Sequence, residues 1–285
     1  DSVTVIVFPL PVVDAGTDKE VCIGDSVQIV ATVNGTFGWT PSVSLSDDSI
    51  ANPVSFPVIT TKYYLNTIDT NSCSNIDSVI VTVNNLPVVD AGNDKEVCIY
   101  DSIQLNATGG IIFIWTPSIS LTDDSISNPF AFPTDTTKYF VSVSDTNGCG
   151  NIDSVLISVN PLPSVTATGD TTICSGEIVQ IAATGGLTCQ WTPTDSLSNP
   201  VSYNPLADPS DSTIYFATVT DGKGCSNTDS VNINVKPTPL ADAGENGWLC
   251  PGDSVQLIAV GGNFFSWSPA ATLSNSGIAN PMAGT

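Results

Sequence analysis

The sequence predicts an all-β protein built from small tandem β-sandwiches, and three observations carry that expectation. The first is an internal repeat: Cys22, Cys98, Cys174 and Cys250 recur every 76 residues, as do Trp39, Trp115, Trp191 and Trp267. Asp1, Asp77, Asp153 and Asp229 keep the same spacing, and so do Pro11, Pro87, Pro163 and Pro239. A fixed period of this kind marks an array of structural units. The second observation is composition: Val and Ile dominate the apolar residues, and Ser, Thr, Asn, Asp, Gly and Pro fill the rest, which suits short strands joined by turns. The third is that no helical period runs long enough to compete with the strand pattern.

The elements of one repeat follow in order. Val12–Ala15 and Glu20–Cys22 read as a split first strand, and Ser26–Val33 as a second, alternating one. Thr36–Thr40 carries Trp39 and ends at Pro41; a polar loop then leads to a short strand, Pro53–Phe56. Lys62–Asp69 and Ile76–Val83 form a last hairpin through Thr70–Cys73, a turn that becomes the hairpin dipeptide Asn147-Gly148 in the next repeat. About seven short strands with a Trp on the third predict a Greek-key sandwich. Pro-containing joints at 8–11, 84–87, 160–163 and 236–239 set the frame. Residues 1–8 are then the last strand of a preceding repeat, 9–84, 85–160 and 161–236 are three full repeats, and 237–285 are an incomplete fourth. The expected parent is a longer tandem protein.

Charge narrows the function classes. Six Lys, no Arg, no His and 28 acidic residues give a net charge of −22. Nucleic acid is excluded as a partner, because binding it requires cations against phosphates. No apolar window is long enough for membrane insertion. Catalysis by paired carboxylates calls for one unique pair in a cleft, whereas these acids recur in every repeat. The expectation is therefore not an enzyme, with no cofactor other than a structural calcium ion.

The recurring residues carry a family resemblance. Asp14-Ala15-Gly16, Asp18, Cys22, Gly24-Asp25-Ser26-Val27-Gln28, Trp39-Thr40-Pro41, Asn52-Pro53, Thr60-Thr61-x-Tyr63 and Asp145-x-Asn147-Gly148-Cys149 form the pattern. It resembles the PKD-like and Ig-like repeats of large Bacteroidota cell-surface proteins exported by type IX secretion, gliding-motility adhesins among them. The third repeat departs from it at Leu197–Pro200 and compensates near Asn204–Asp211. The resemblance implies tandem immunoglobulin-like (PKD-like) β-sandwich repeats at the extracellular cell surface. The implied role is a structural segment of a filament or stalk. Its partners would be neighbouring repeats of the same chain, and identical chains in a fibre. The alternatives are an adhesin whose binding tip lies elsewhere, or the spacer of a secreted enzyme.

Each full repeat has one Cys before the second strand and one in the last hairpin, which suggests disulfides in an oxidising compartment. Pairing within repeats gives Cys22–Cys73, Cys98–Cys149 and Cys174–Cys225. In an immunoglobulin-like sandwich, however, those two turns lie at opposite poles, roughly 20 Å apart, and bridged Cα atoms lie within about 7 Å. Pairing across a short joint gives Cys22–Cys149 and Cys98–Cys225 instead, and would stiffen the string of repeats. Both connectivities remain open at this stage. Cys189 stands where other repeats have Phe37, Phe113 and Phe265, and is expected to be a buried free thiol.

Three further site readings follow from the residues. Asp14, Asp18, Asp69 and Asn71, repeated as Asp90, Asp94, Asp145 and Asn147, offer oxygen ligands for calcium; the competing reading is turn capping. Asp followed by Ser or Thr and an aliphatic residue or Thr resembles the Bacteroidota O-glycosylation signal. It would place glycans on Ser2, Ser26, Ser49, Ser78, Ser102, Ser125, Thr136, Ser154, Ser230 and Ser254. The competing reading is a solvated strand start that blocks edge pairing. The Trp of each repeat is expected in the core rather than stacking on sugar, and Trp248 is the candidate for exposure.

Overall fold

In the computed structural model, which describes residues 1–284, the first repeat folds into eight short strands. These are β1 (Val13–Asp14), β2 (Lys19–Cys22), β3 (Val27–Gln28), β4 (Thr32–Val33), β5 (Thr36–Thr40), β6 (Val54–Ser55), β7 (Thr61–Ile68) and β8 (Ser74–Asn84). Alternation sets the main sheet. Along β7 the side chains of Tyr63, Leu65 and Thr67 point inward, and on β8 those of Val79 and Val81 do. Any one-residue slip would turn all of them to solvent.

The main sheet has the order β2-β8-β7-β5, with β2 parallel to β8 and the other pairs antiparallel. The facing layer is made of the short pairs β1-β4 and β3-β6. Between the layers lie Ala15, Ile29, Trp39, Tyr63, Leu65, Val79 and Val81. This is an immunoglobulin-like sandwich. Antibody domains place a tyrosine two residues before the core cysteine of the equivalent strand. Here Tyr63 is followed by Leu65, so an aliphatic core replaces that disulfide.

The expected second strand, Ser26–Val33, is broken in two, and Pro53 explains the break. The Ile29 N–H reaches the Pro53 carbonyl at 2.9 Å. Proline returns no donor to the Ile29 carbonyl, and two residues on the Ala31 N–H donates to the Asn52 side chain at 3.0 Å rather than to a backbone carbonyl. The hairpin turn also differs from a two-residue loop. In repeat 2 the Gly148 N–H donates to the Asp145 carbonyl and the Asp145 N–H to the Cys149 carbonyl. Three residues therefore form the loop, with Gly148 left-handed at φ 78°.

Repeat 2 follows the same plan with β9 (Lys95–Cys98), β10 (Ile103–Gln104), β11 (Ile112–Thr116), β12 (Phe130–Ala131), β13 (Thr137–Ser144) and β14 (Gly150–Asn160). Repeat 3 has β15 (Thr166–Ala167), β16 (Thr171–Cys174), β17 (Val179–Gln180), β18 (Ala183–Thr184), β19 (Thr188–Thr192), β20 (Leu206–Ala207), β21 (Thr213–Thr220) and β22 (Ser226–Lys236). Both keep the four-stranded sheet with its one parallel pair. Residues 237–284 contribute β23 (Ser254–Gln256) paired with β24 (Met282–Gly284). Trp267 is half-buried there, whereas Trp39, Trp115 and Trp191 are fully enclosed. The chain divides into two compact units, Asp1–Asn160 and the residues from Pro161 onward. Among the described residues no helix is long and apolar enough to cross a membrane.

Candidate functional site at the joint between repeats

The parallel pairing of β2 with β8 puts Cys22 level with Asn84, where repeat 1 hands over to repeat 2. The Ile23 N–H donates to the Asn84 carbonyl at 2.8 Å, and the Asp25 N–H to the Cys22 carbonyl at 3.0 Å, which closes the turn after β2. From the other side comes the β13–β14 hairpin. The Asp145 carboxylate accepts the N–H groups of Asn147 and Cys149, both at 2.9 Å, and so holds Cys149 at the tip. The Asn151 side chain donates to the Pro87 carbonyl at 3.1 Å and ties the linker to this hairpin.

Cys22 and Cys149 are joined by a disulfide with Cα atoms 5.5 Å apart, across a sequence separation of 127. Cys149 has no solvent exposure. The within-repeat set is not formed: Cys73 and Cys174 are free, and Cys149 is taken by Cys22. Cys22–Cys73, Cys98–Cys149 and Cys174–Cys225 therefore drop out, because the first turn and last hairpin of one sandwich lie at opposite ends of its strands. Cys250 is a free, exposed thiol. Cys189 is free and packs in the repeat 3 core beside Trp191 and Val219, where burial pushes its thiol pKa up.

No family model matches this chain, and no curated protein matches it. Among solved structures it is similar to immunoglobulin domains 1–5 of Sidekick-1, at 13% identity and a TM-score of 0.31, over 80% of this chain and 59% of that one. It is similar to the N-terminal eight immunoglobulin domains of DSCAM, at 13% identity and a TM-score of 0.40, over 80% of this chain and 37% of that one. A third is the I9–I11 tandem of titin, at 12% identity and a TM-score of 0.35, over 81% of this chain and 98% of that one. The chain thus spans less than two thirds of the length of the first two.

The residues considered for calcium are engaged with the backbone. Asp14 and Asp90 accept the N–H groups of Gly16 and Gly92, each at 2.8 Å. Asp18 and Asp94 accept those of Ile80 and Leu156, also at 2.8 Å. Asp69 accepts from Asn71 and Cys73 as Asp145 does from Asn147 and Cys149. Among the described residues no three Cys, Asp or Glu side chains gather as a metal site. Asp14, Asp69, Asp90 and Asp145 cap their own turns, while Asp18 and Asp94 reach across to β8 and β14.

Eight of the ten Ser and Thr glycan candidates are exposed, namely Ser2, Ser26, Ser49, Ser102, Ser125, Thr136, Ser230 and Ser254; Ser78 and Ser154 are half-buried within β8 and β14. The indole N–H groups of Trp39, Trp115 and Trp191 donate to the carbonyls of Ile50, Ile126 and Ser202, so these rings are core residues with a satisfied donor. Trp248 is 92% exposed. Sequence reasoning passed over two sets of residues. Asn75, Asn151 and Asn227 clamp the joint prolines, donating to the carbonyls of Pro11, Pro87 and Pro163. Asp77, Asp153 and Asp229 accept the N–H groups of Ala15, Ala91 and Ala167, each at 2.8 Å. Their signal is the same repeat spacing that marks the cysteines.

Proposed function

We propose that this chain is a structural segment of an extracellular cell-surface filament or stalk, built from repeats stapled end to end. The observation that carries the reading is the Cys22–Cys149 bond, which links the exit of one sandwich to the far hairpin of the next. A disulfide placed at a joint serves the relation between domains, since each core is already closed by Trp, Tyr and aliphatic packing. Such bonds persist in oxidising compartments. Cys98 and Cys225 have the same separation and the same places in their repeats, and we assign them the same bond. The sequence pattern supports a Bacteroidota surface protein exported by type IX secretion, with glycans on the exposed Asp-Ser and Asp-Thr sites.

Electron microscopy of the native material tests the reading. Thin single strands projecting from cells are the expected image, and a compact soluble particle would refute it. Intact mass above that of the bare sequence is expected if the exposed Ser and Thr carry glycans, and a mass equal to it removes them.

A further inference from the structure

We infer that the Cys22–Cys149 bond limits the extension of the two-repeat unit, because tension crosses the disulfide and leaves along β14, so that β1, β2 and β14 carry it and the strands between the two cysteines do not. The inference rests on the structural role proposed above. Load entering at the N-terminal side reaches Cys22 along β1 and β2 and crosses to Cys149, whose Cα is 5.5 Å away. Strand β14 begins at the next residue and runs through Asn160 to the end of repeat 2. All that lies between the two cysteines, namely β3 to β13, hangs in a closed loop beside this line.

The β14 part of this line is already taut. A strand rises roughly 3.3 Å per residue, and the chain can reach at most about 3.6 Å per residue. Complete unfolding of repeat 2 would therefore lengthen the 11 residues of β14 by only about 3 Å. Without the bond, the segment separated by 127 residues opens to roughly 440 Å. Pairing Cys149 with a cysteine of its own repeat would have left the joint in the load path. The observed connectivity takes the joint, and every strand from β3 to β13, out of it. A backbone cut anywhere in the loop, for example near the exposed Asp47–Ser49 turn, likewise leaves the two ends covalently joined.

The test is single-molecule stretching of the full chain, held at its two termini, before and after reduction with a phosphine. Reduction is expected to add about 440 Å or more to the fully unfolded contour length, the surplus reporting a second staple from Cys98–Cys225. Equal lengths in the two states overturn the inference. The double variant Cys22→Ser, Cys149→Ser should show the longer contour without reductant, and Cys73→Ser should behave as the parent chain. Limited proteolysis supplies a readout free of variants: chains nicked in the loop should stay full-length on a non-reducing gel and separate on a reducing one. Separation without reductant overturns the inference. Both measurements are independent of imaging, so a failed stalk reading leaves them standing, and equal contours leave the images to be judged alone.

Discussion

Asp153 accepts the N–H of Ala91, a residue only 2% exposed, so it satisfies a donor that water cannot reach. That hydrogen bond, with a second from Ser154 and the nearby Lys138 charge, holds its carboxyl below the usual value of 3.8. A lowered native pKa means stability that is complete above the unfolded value and lost as pH falls through the native one. Asp153→Ala is expected to cost about 1–3 kcal/mol at pH 7, the range for a buried donor left without its partner. The gap from the parent chain should shrink below about pH 4, as read from urea unfolding at both pH values. Tyr100 gives the opposite case. It sits at φ 74° where the other repeats place Gly24, Gly176 and Gly252. The left-handed region costs a side chain roughly 1–2 kcal/mol, partly offset by the entropy glycine loses on folding. Tyr100→Gly should therefore stabilise by about 0.5–1 kcal/mol, and Ser72→Gly, at φ 65°, by a similar amount in the same assay.

Strands this short stand only because the ladder is completed by side chains. Beside Pro53, the Asn52 side chain accepts the Ala31 N–H where a ladder would offer a carbonyl; Asn52→Ala is expected to cost about 1 kcal/mol and to raise amide exchange at Ala31. The central hairpin was plain in the sequence, because two Val- and Tyr-rich runs flank a turn signal, and in the fold β7 alternates strictly and pairs with β8 over eight positions. The broken second strand was not, since Ser26–Val33 looks uniform and its interruption comes from the partner strand. The hairpin loop was likewise underdetermined. Asn147-Gly148 marks a turn, but Asp145 lengthens it by capping two amides at once. The calcium candidates accept backbone N–H groups, Asp14, Asp69, Asp90 and Asp145 within their own turns and Asp18 and Asp94 across to the last strand of their repeat. If capping is their whole role, chelation leaves the thermal midpoint unchanged, whereas a shift of several degrees supports the calcium reading.

For the unit Asp1–Asn160 as a whole, the staple contributes through the unfolded state. Closing a loop of 127 residues is worth about 2–4 kcal/mol in typical cases. The double variant Cys22→Ser, Cys149→Ser should fold, since each core is complete, and lose about that much in chemical denaturation. The repeat period, the central hairpin, the Trp core and the positions of the main turns were readable from one sequence. Each rests on spacing along the chain, and a 76-residue recurrence multiplies every such signal. Cysteine pairing is of another kind. Cys22 lies closer in sequence to Cys73 than to Cys149, yet bonds the latter, because a strand carries the hairpin of its own sandwich to the far pole. The length and direction of β8 leave Cys22 beside the next repeat. Spacing specified the sandwiches; which pole meets which cysteine was set by distance in space, and that appears only once the strands have paired.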